Sequence, residues 1–388
     1  MIENSGEEAS DSGPRQSREV QFVEPAMTAP VLTKRPSGLN RSNTLMNFAS
    51  SARTAARGMN YYHDFNHHNW FLSIRWIFKG SGVNMFLPLG IVMVFATVST
   101  IIIETLHMEQ QVDLGTDVTT GLGGCMALLL AFRLNVCYSR WWEGRLLWGR
   151  VIESSRSLVT IALSLEADVE PNSPEARERR RSAEGLAGWC IAFAVALKCH
   201  LREVKIQDSV DERMRRSIQR LLVNKGLAFG STAFERLNAS AHPPLHALRS
   251  VRHAIRRILD QHSPSGRLAL ENLLNQLSGE LHGALTGCER ILRTPCPPGY
   301  VGVLRLSLVF FLLLLPFVLL EIGYWLIPVV FMTSFVLLGA EEVAIQLEQP
   351  FGDDQNDLPL DSYCFNLEAD LISLLDEKIE GPPAEFGR

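Results

Sequence analysis

The strongest constraint on this fold is a nearly uncharged run in the last third of the chain, Val301 to Ala340. Only Arg305 and Glu321 carry a charge within these forty residues. Such a run is typical of a segment that resides in a bilayer. It is too long for one span, and the Glu-Ile-Gly sequence at Glu321 supplies a flexible break. We therefore predict two transmembrane helices, 302–320 and 324–340, each near the roughly 17-residue minimum for crossing.

Two further spans are predicted in the first third of the chain. Val83 to Ile103 contains no charged residue and is the clearest of the four. The second, 116–132, is less hydrophobic and contains three glycines, although its second half, from Cys125 onward, is wholly apolar. A helix that faces water along one side has this composition.

The distribution of Lys and Arg predicts the orientation. Positively charged loops remain on the cytosolic side. The 104–116 segment contains neither residue type, whereas Arg133 to Tyr300 contains twenty-five. We therefore expect an integral, multi-pass membrane protein with both termini cytosolic, or stromal in a plastid; the membrane itself is left open.

The region between the two pairs of spans, about 141–299, has apolar residues at helical spacing and is punctuated by proline. Ala183 to Leu201 could be read as a fifth span, but its charged residues favour a buried cytosolic helix. The predicted fold is an all-α membrane protein, with four transmembrane helices per subunit and a helical cytosolic domain, assembled around one axial pore. Residues 1–58 and 377–388 are expected to be tails on a domain spanning 59–376.

Composition and the absence of certain motifs argue against several other classes of protein function. The net charge of -5 does not favour nucleic acid as a partner. The seven cysteines form no CxxC pair, which indicates reduced thiols. The sequence has no Walker A loop, GxSxG elbow or HExxH helix, so we predict that the protein is not an enzyme.

Two motifs, about two hundred residues apart, carry a family resemblance. The first is the segment from Phe132 to Gly149, which contains RWWEGR; the second is the Pro-Phe-Gly turn followed by NDLPLD. Both resemble motifs of the bestrophin family, and their residues are most similar to those of its bacterial, plant and algal branch. A structural role is expected for Arg140, Trp141, Trp142, Glu143, Arg145, Pro350, Phe351 and Gly352. Within the first motif we expect the tryptophans, including Trp148, to lie at an interface, and Arg140, Glu143 and Arg145 to satisfy one another.

The resemblance implies a homopentameric anion channel in which the second span of each subunit lines the pore. Family members pass chloride, and some pass bicarbonate or nitrate. Counted back from Arg140, the narrow neck positions of the family fall on Gly124, Leu128 and Phe132. A spacing of four places them on one helical face, where apolar rings can gate by dewetting. Without the resemblance, Leu128 and Phe132 would be read as ordinary packing residues.

The acidic turn, residues 348–361, is a candidate calcium site. Aligned with the calcium clasp of animal relatives, its donors are Gln346, Gln349, Asp354 and Asp357. All four offer oxygen, which calcium prefers. A solvated charge run with turn and cap roles is an equally good interpretation. No cofactor is required, and calcium is the one candidate.

Two alternatives to an anion channel remain at this point. A secondary anion transporter would show broken helices in two related halves, which the sequence lacks. A membrane scaffold or regulator that does not conduct is the other alternative. Its one hint is Gly124, which stands where relatives usually place a large apolar residue.

Overall fold

The computed structural model describes residues 83–106, 116–167, 169–170, 173–210, 212–222, 230–262, 267–354 and 356–376. These residues belong to one compact unit, Arg41–Arg388. They form α-helices and one 3-10 helix with no β-strand among them, which confirms the all-α prediction for this part of the chain. The predicted tails, 1–58 and 377–388, and the domain start at 59 lie outside the described residues.

The α-helices, numbered along the chain, are α1 Val83–Thr105, α2 Thr116–Ala167, α3 Pro174–Leu201, α4 Ile206–Ser209, α5 Glu212–Leu222, α6 Gly230–Asn238, α7 Pro243–Asp260, α8 Arg267–Arg293, α9 Pro298–Val318, α10 Leu326–Glu348 and α11 Leu360–Asp376. The 3-10 helix, Leu320–Trp325, separates α9 from α10. Within it, Gly323 has φ 54°, a left-handed conformation that favours glycine. The break between the two C-terminal spans thus falls on the Glu-Ile-Gly sequence.

Helices α1, α9 and α10 pack with the first part of α2 in one apolar cluster. The outer sides of these helices expose large apolar side chains, including Leu87 at 73%, Val94 at 66% and Phe310 at 64%. So much exposed apolar surface marks contact with lipid or with other protein.

A second, larger core lies among α2, α3, α5 to α8 and α11. Five described helices are long and apolar enough to cross a membrane, and α3 is one of them. However, 78% of the apolar window of α3 is buried inside the subunit, against 22 to 33% for the other four. Protein therefore covers α3, whereas the other four present apolar faces outward.

Helix α2 joins the apolar cluster of α1, α9 and α10 to the larger core. It runs unbroken for 52 residues, which corresponds to about 78 Å at 1.5 Å per residue. The predicted end of the second span at 132 and the predicted start of the cytosolic region at 141 both fall inside this helix. A movement of the membrane end of α2 is therefore mechanically linked to the helical core.

Candidate functional site

The three predicted neck residues lie on one exposed side of α2, which we call the neck face: Gly124, Leu128 and Phe132. Leu128 is 58% exposed and Phe132 is 55% exposed. On the opposite side of the same turns, Met126 and Leu130 are buried. The subunit thus anchors one side of α2 and leaves the neck face uncovered.

Directly after the neck face, α2 carries a fully buried arginine. Arg133 donates through Nη2 to Oε2 of Glu348 at 2.6 Å, and its Nε lies 3.6 Å from Oε2 of Glu341. Both glutamates belong to the last turns of α10. The other oxygen of Glu348 accepts from the backbone amide of Cys296 at 2.7 Å, just before α9. One ion pair therefore ties α2 to α10 and to the start of α9.

Two turns further along, Arg140 binds backbone carbonyls rather than side chains. Its guanidinium donates to the carbonyls of Ile291 at 2.6 Å and Thr294 at 2.7 Å, at the end of α8, and to the carbonyl of Glu348 at 3.2 Å. A cation at a helix C-terminus satisfies carbonyls that have no partner within the helix. Arg140 thus joins the ends of α8 and α10 to α2.

The expectation that the charged residues of RWWEGR pair with one another is wrong. Arg140 binds α8 and α10, Glu143 pairs with Arg290 of α8, and the guanidinium of Arg145 lies 5.0 Å from the ring centre of Tyr363 in α11. The physical reason is that α8, α10 and α11 pack beside this part of α2 and offer these charged side chains other partners.

The interface role expected for the tryptophans needs a similar correction at Trp148. Its side chain is fully buried in the larger core, 5.9 Å from the ring of Tyr363. Trp142 remains 48% exposed, and Trp141 is half-buried between Tyr138 and Trp142. One of the three rings is therefore a core residue and not an interface anchor.

The two family motifs meet in space. The ring of Phe351, which is 1% exposed, packs on Gly144, where an added Cβ would lie 3.1 and 3.2 Å from two of its carbons. Beside it, the indole N–H of Trp141 donates to the carbonyl of Asn356 at 2.9 Å. The glycine of RWWEGR thus makes room for the phenylalanine of the Pro-Phe-Gly turn.

The acidic turn is held by two cations at the C-terminal end of α3, Lys198 within the helix and Arg202 directly after it. Arg202 donates to Asp353 at 2.8 Å, to Asp361 at 2.7 Å and to the carbonyl of Gly352 at 3.2 Å. Lys198 donates to the other oxygen of Asp361 at 2.8 Å. Although burial opposes it, these two cations lower the pKa of Asp361 below its ordinary value. Sequence reasoning missed Arg202, because no local pattern links it to a turn 150 residues away.

Two of the four candidate calcium donors, Gln346 and Asp357, already accept hydrogen bonds from other residues of the protein. The side-chain oxygen of Gln346 accepts from the amide of Asn356, and Asp357 accepts from the backbone amide of Asp354 at 2.7 Å. Gln349 is exposed. A calcium ion would therefore compete with existing hydrogen bonds at Gln346 and Asp357, and Arg202 already supplies positive charge to the turn.

Asp357 gives the turn a predicted pH dependence. Burial raises the pKa of its carboxyl from 3.8 to about 7, although the hydrogen bond from the amide of Asp354 opposes the shift. Between these two values the folded protein binds more protons at this group than the unfolded chain does. Stability should therefore fall as pH rises through this window.

Asp357→Asn should raise the thermal unfolding temperature at pH 8, and the gain should vanish as pH falls towards 4, because asparagine can still accept the amide of Asp354 without a buried charge. Asp361→Asn is the matched control, and it should instead lower stability at pH 8 by removing the partner of Lys198 and Arg202. A gain from Asp357→Asn that is equal at both pH values would contradict this account.

Comparison with known proteins agrees with the motifs. The model of the bacterial/fungal bestrophin family matches residues 64–373. A voltage-dependent anion channel-forming protein of Nostoc is 34% identical over 252 residues, which is 64% of this chain and 74% of the relative. YneE of Salmonella typhi, which bears the same description, is 32% identical over 66% of this chain and 76% of its own length. The crystal structure of a bacterial bestrophin homologue from Klebsiella pneumoniae superimposes with a TM-score of 0.61 at 26% identity, covering 76% of this chain and 99% of that one.

Proposed function

This chain belongs to the bacterial/fungal bestrophin family, and we propose that it is the subunit of a homopentameric anion channel in which α2 lines the pore. The protein is an integral, multi-pass membrane protein. Relatives described as voltage-dependent anion channel-forming proteins support anions as the permeant class. We propose chloride as the main ion, with bicarbonate or nitrate also passing.

The observation that carries this proposal is the neck face. A helix that is anchored through Arg133 and Arg140 on one side and uncovered on the other provides a single strip of wall, so several copies are needed to enclose a pore. Leu128 and Phe132 would then form successive apolar rings. The edge of a Phe ring carries the positive part of its quadrupole, which an incompletely hydrated anion can approach.

The membrane topology follows from the same arrangement. We propose that α1, the first part of α2, α9 and α10 cross the bilayer, with both termini and the larger helical core on the cytosolic side. The burial of 78% of the apolar window of α3 inside the subunit supports a cytosolic position for this helix.

Purified full-length protein in planar bilayers tests the function directly. Discrete openings, with a reversal potential that follows the chloride gradient, are expected for an anion channel. Stoichiometric exchange without openings would favour a secondary transporter, and electrical silence of correctly assembled protein would favour a scaffold. Either result would overturn the proposal.

Assembly is tested separately by native mass spectrometry of the protein released from detergent. We expect a stable pentamer, because one neck face covers only a fraction of the pore wall. A monomer or dimer in a preparation that conducts would contradict the proposed pore.

Calcium modulation remains a prediction of the resemblance, and it has its own test. If calcium occupies the acidic turn, current should differ between chelator and millimolar-scale calcium, a range that includes weak sites. Asp354→Ala with Asp357→Ala should abolish that difference while leaving the oligomer assembled. Equal currents of the wild-type protein in both conditions would mean that the protein's own contacts, including those of Arg202 and Lys198, hold the turn without calcium.

A further inference from the structure

At the edge of the larger core, away from the neck face, the ends of α3 and α8 and the start of α7 bring two histidines and a glutamate together. Nε2 of His200, in the last turn of α3, lies 2.8 Å from Oε1 of Glu289 in α8. Nε2 of His242, the residue that caps α7, lies 2.9 Å from the same oxygen. The two imidazole rings are 4.5 Å apart, and the three donor atoms all lie within 4.8 Å of one another.

We propose that His200, His242 and Glu289 form a binding site for a divalent transition-metal ion of the zinc type. Two imidazole nitrogens and one carboxylate oxygen are a ligand set that zinc uses in proteins, with a fourth position left to water. Calcium and magnesium prefer oxygen ligands and are disfavoured by the two nitrogens.

The donors lie close to the spacing that such an ion needs, and the two histidine nitrogens, which are within 4.8 Å of each other, have to approach by at most about 1.5 Å. With metal–ligand bonds of about 2.0 to 2.1 Å, neighbouring ligands of a tetrahedral zinc ion lie about 3.3 Å apart. The two hydrogen-bonded donor pairs need to open by only a few tenths of an ångström to reach this value. Since Glu289 and the histidines lie on three separate helices, small side-chain rotations supply that change.

The surroundings of the cluster leave it accessible. The side chains of His200 and Glu289 are each 20% exposed, and that of His242 is 29% exposed. His200 lines a cavity of about 1100 Å³ that water can enter, so an ion has an approach path. Although burial opposes the shift, hydrogen bonds from both histidines lower the pKa of Glu289 and keep its carboxylate ionised.

Two local interactions oppose metal binding, and both are weak. Arg293 brings a positive charge to 3.7 Å from Oε1 of Glu289, but its side chain is 66% exposed and free to swing into water. Nδ1 of His242 accepts the backbone amide of Leu245 at 3.4 Å, a bond that would be lost when the proton moves to Nδ1 and Nε2 binds the ion. At 3.4 Å this contact is longer than an ordinary N–H hydrogen bond, so little stability is lost with it.

Occupancy would connect the larger core to the contacts through which Arg133 and Arg140 anchor α2. His200 lies two residues before Arg202, which holds the acidic turn, and Glu289 lies shortly before Ile291 and Thr294, whose carbonyls bind Arg140. An ion that cross-links α3, α7 and α8 would therefore make the helices that contact α2 more rigid. We expect zinc to raise the thermal unfolding temperature of the assembled protein.

The test uses full-length protein without an affinity tag, stripped with chelator and titrated with ZnCl₂ by calorimetry, with metal content measured after desalting. We expect one zinc ion per subunit. His242→Ala and Glu289→Gln should each weaken binding by at least the roughly 10- to 100-fold that loss of an outer-shell partner costs. Because Glu289→Gln keeps the size of the side chain, it still tests zinc binding at this cluster if His242→Ala does not fold.

His253→Ala is the matched control, since it removes a histidine from α7 outside the cluster. A second group of potential ligands, Cys137, Cys296 and Glu348, lies where Glu348 binds Arg133. Cys296→Ser tests whether zinc binds there instead. The proposal is overturned if wild-type protein binds no zinc, or if His242→Ala and Glu289→Gln bind it as tightly as His253→Ala does. These measurements do not depend on conduction, so they stand apart from the test of the channel.

Discussion

Arg133→Met should lower the free energy of unfolding by about 3 to 5 kcal/mol, the usual effect of removing one partner of a buried ion pair. Arg133 has no exposed surface, and Glu341 is only 5% exposed. Without the guanidinium, Glu348 loses its ion-pair partner, and Glu341 keeps only Arg305, whose Nε lies 3.0 Å from its Oε1. We expect a large drop in the thermal unfolding temperature of the detergent-solubilised protein and loss of oligomer on size exclusion.

The chain offers a matched control on the same helix. Arg156 pairs with Asp370, but its side chain is 49% exposed. Arg156→Met should therefore change stability by no more than about 1 kcal/mol, as is typical of surface pairs. Adding Glu348→Gln to Arg133→Met should recover part of the loss by removing a buried charge. Equal effects of Arg133→Met and Arg156→Met would contradict the proposed anchor.

Phe351→Ala should also cost about 3 to 5 kcal/mol, the range for truncating a fully buried aromatic ring. The ring seats the acidic turn against α2 at Gly144. If that contact transmits the position of the turn to α2, current should fall along with stability. The measurement is thermal unfolding of the purified protein, followed by bilayer recording of whatever remains assembled.

The same contact can also be tested by enlarging Gly144 instead of truncating Phe351. In Gly144→Ala, the new Cβ would meet Phe351 at 3.1 Å and Leu358 at 3.3 Å, so we expect a loss of about 1 to 3 kcal/mol from overpacking. Gly149→Ala, on the same helix, meets its nearest atom at 3.7 Å and should instead gain up to about 1 kcal/mol in helix propensity. Combining Gly144→Ala with Phe351→Leu should cost less than the sum of the two, since the smaller side chain relieves the clash. Strict additivity would mean that the two motifs do not touch.

The helices α1, α9, α10 and the first part of α2 could be predicted from the sequence, because a membrane helix depends on local composition. Charge-poor runs predicted the apolar helices, and the Glu-Ile-Gly sequence indicated the break that Gly323 makes. The charged side chains of α3 also distinguished a buried helix from a span. Each of these inferences needs only the chemistry of neighbouring residues.

The anchor of α2 could not be predicted in the same way. The hydrogen bonds of Arg133 and Arg140 reach partners 151 to 215 residues away, so no local spacing reveals them. Position gave no signal at Arg133 either, since an arginine at the end of an apolar span ordinarily reaches the membrane interface. The i,i+3 logic that paired the charges of RWWEGR failed because it considers one helix alone and ignores the partners that neighbouring helices supply.

The neck face is tested most directly by single-channel recording of Leu128→Ala combined with Phe132→Ala in planar bilayers, compared with the wild-type protein. A wider, less apolar constriction is harder to dewet, so we predict larger anion conductance or more frequent opening. Leu122→Ala makes the same truncation on α2 about 120° around the helix from Leu128, at a side chain that is 44% exposed, and should leave conductance unchanged. If the double variant assembles normally and conducts exactly as wild type does, α2 does not form the neck and the account of the pore is wrong.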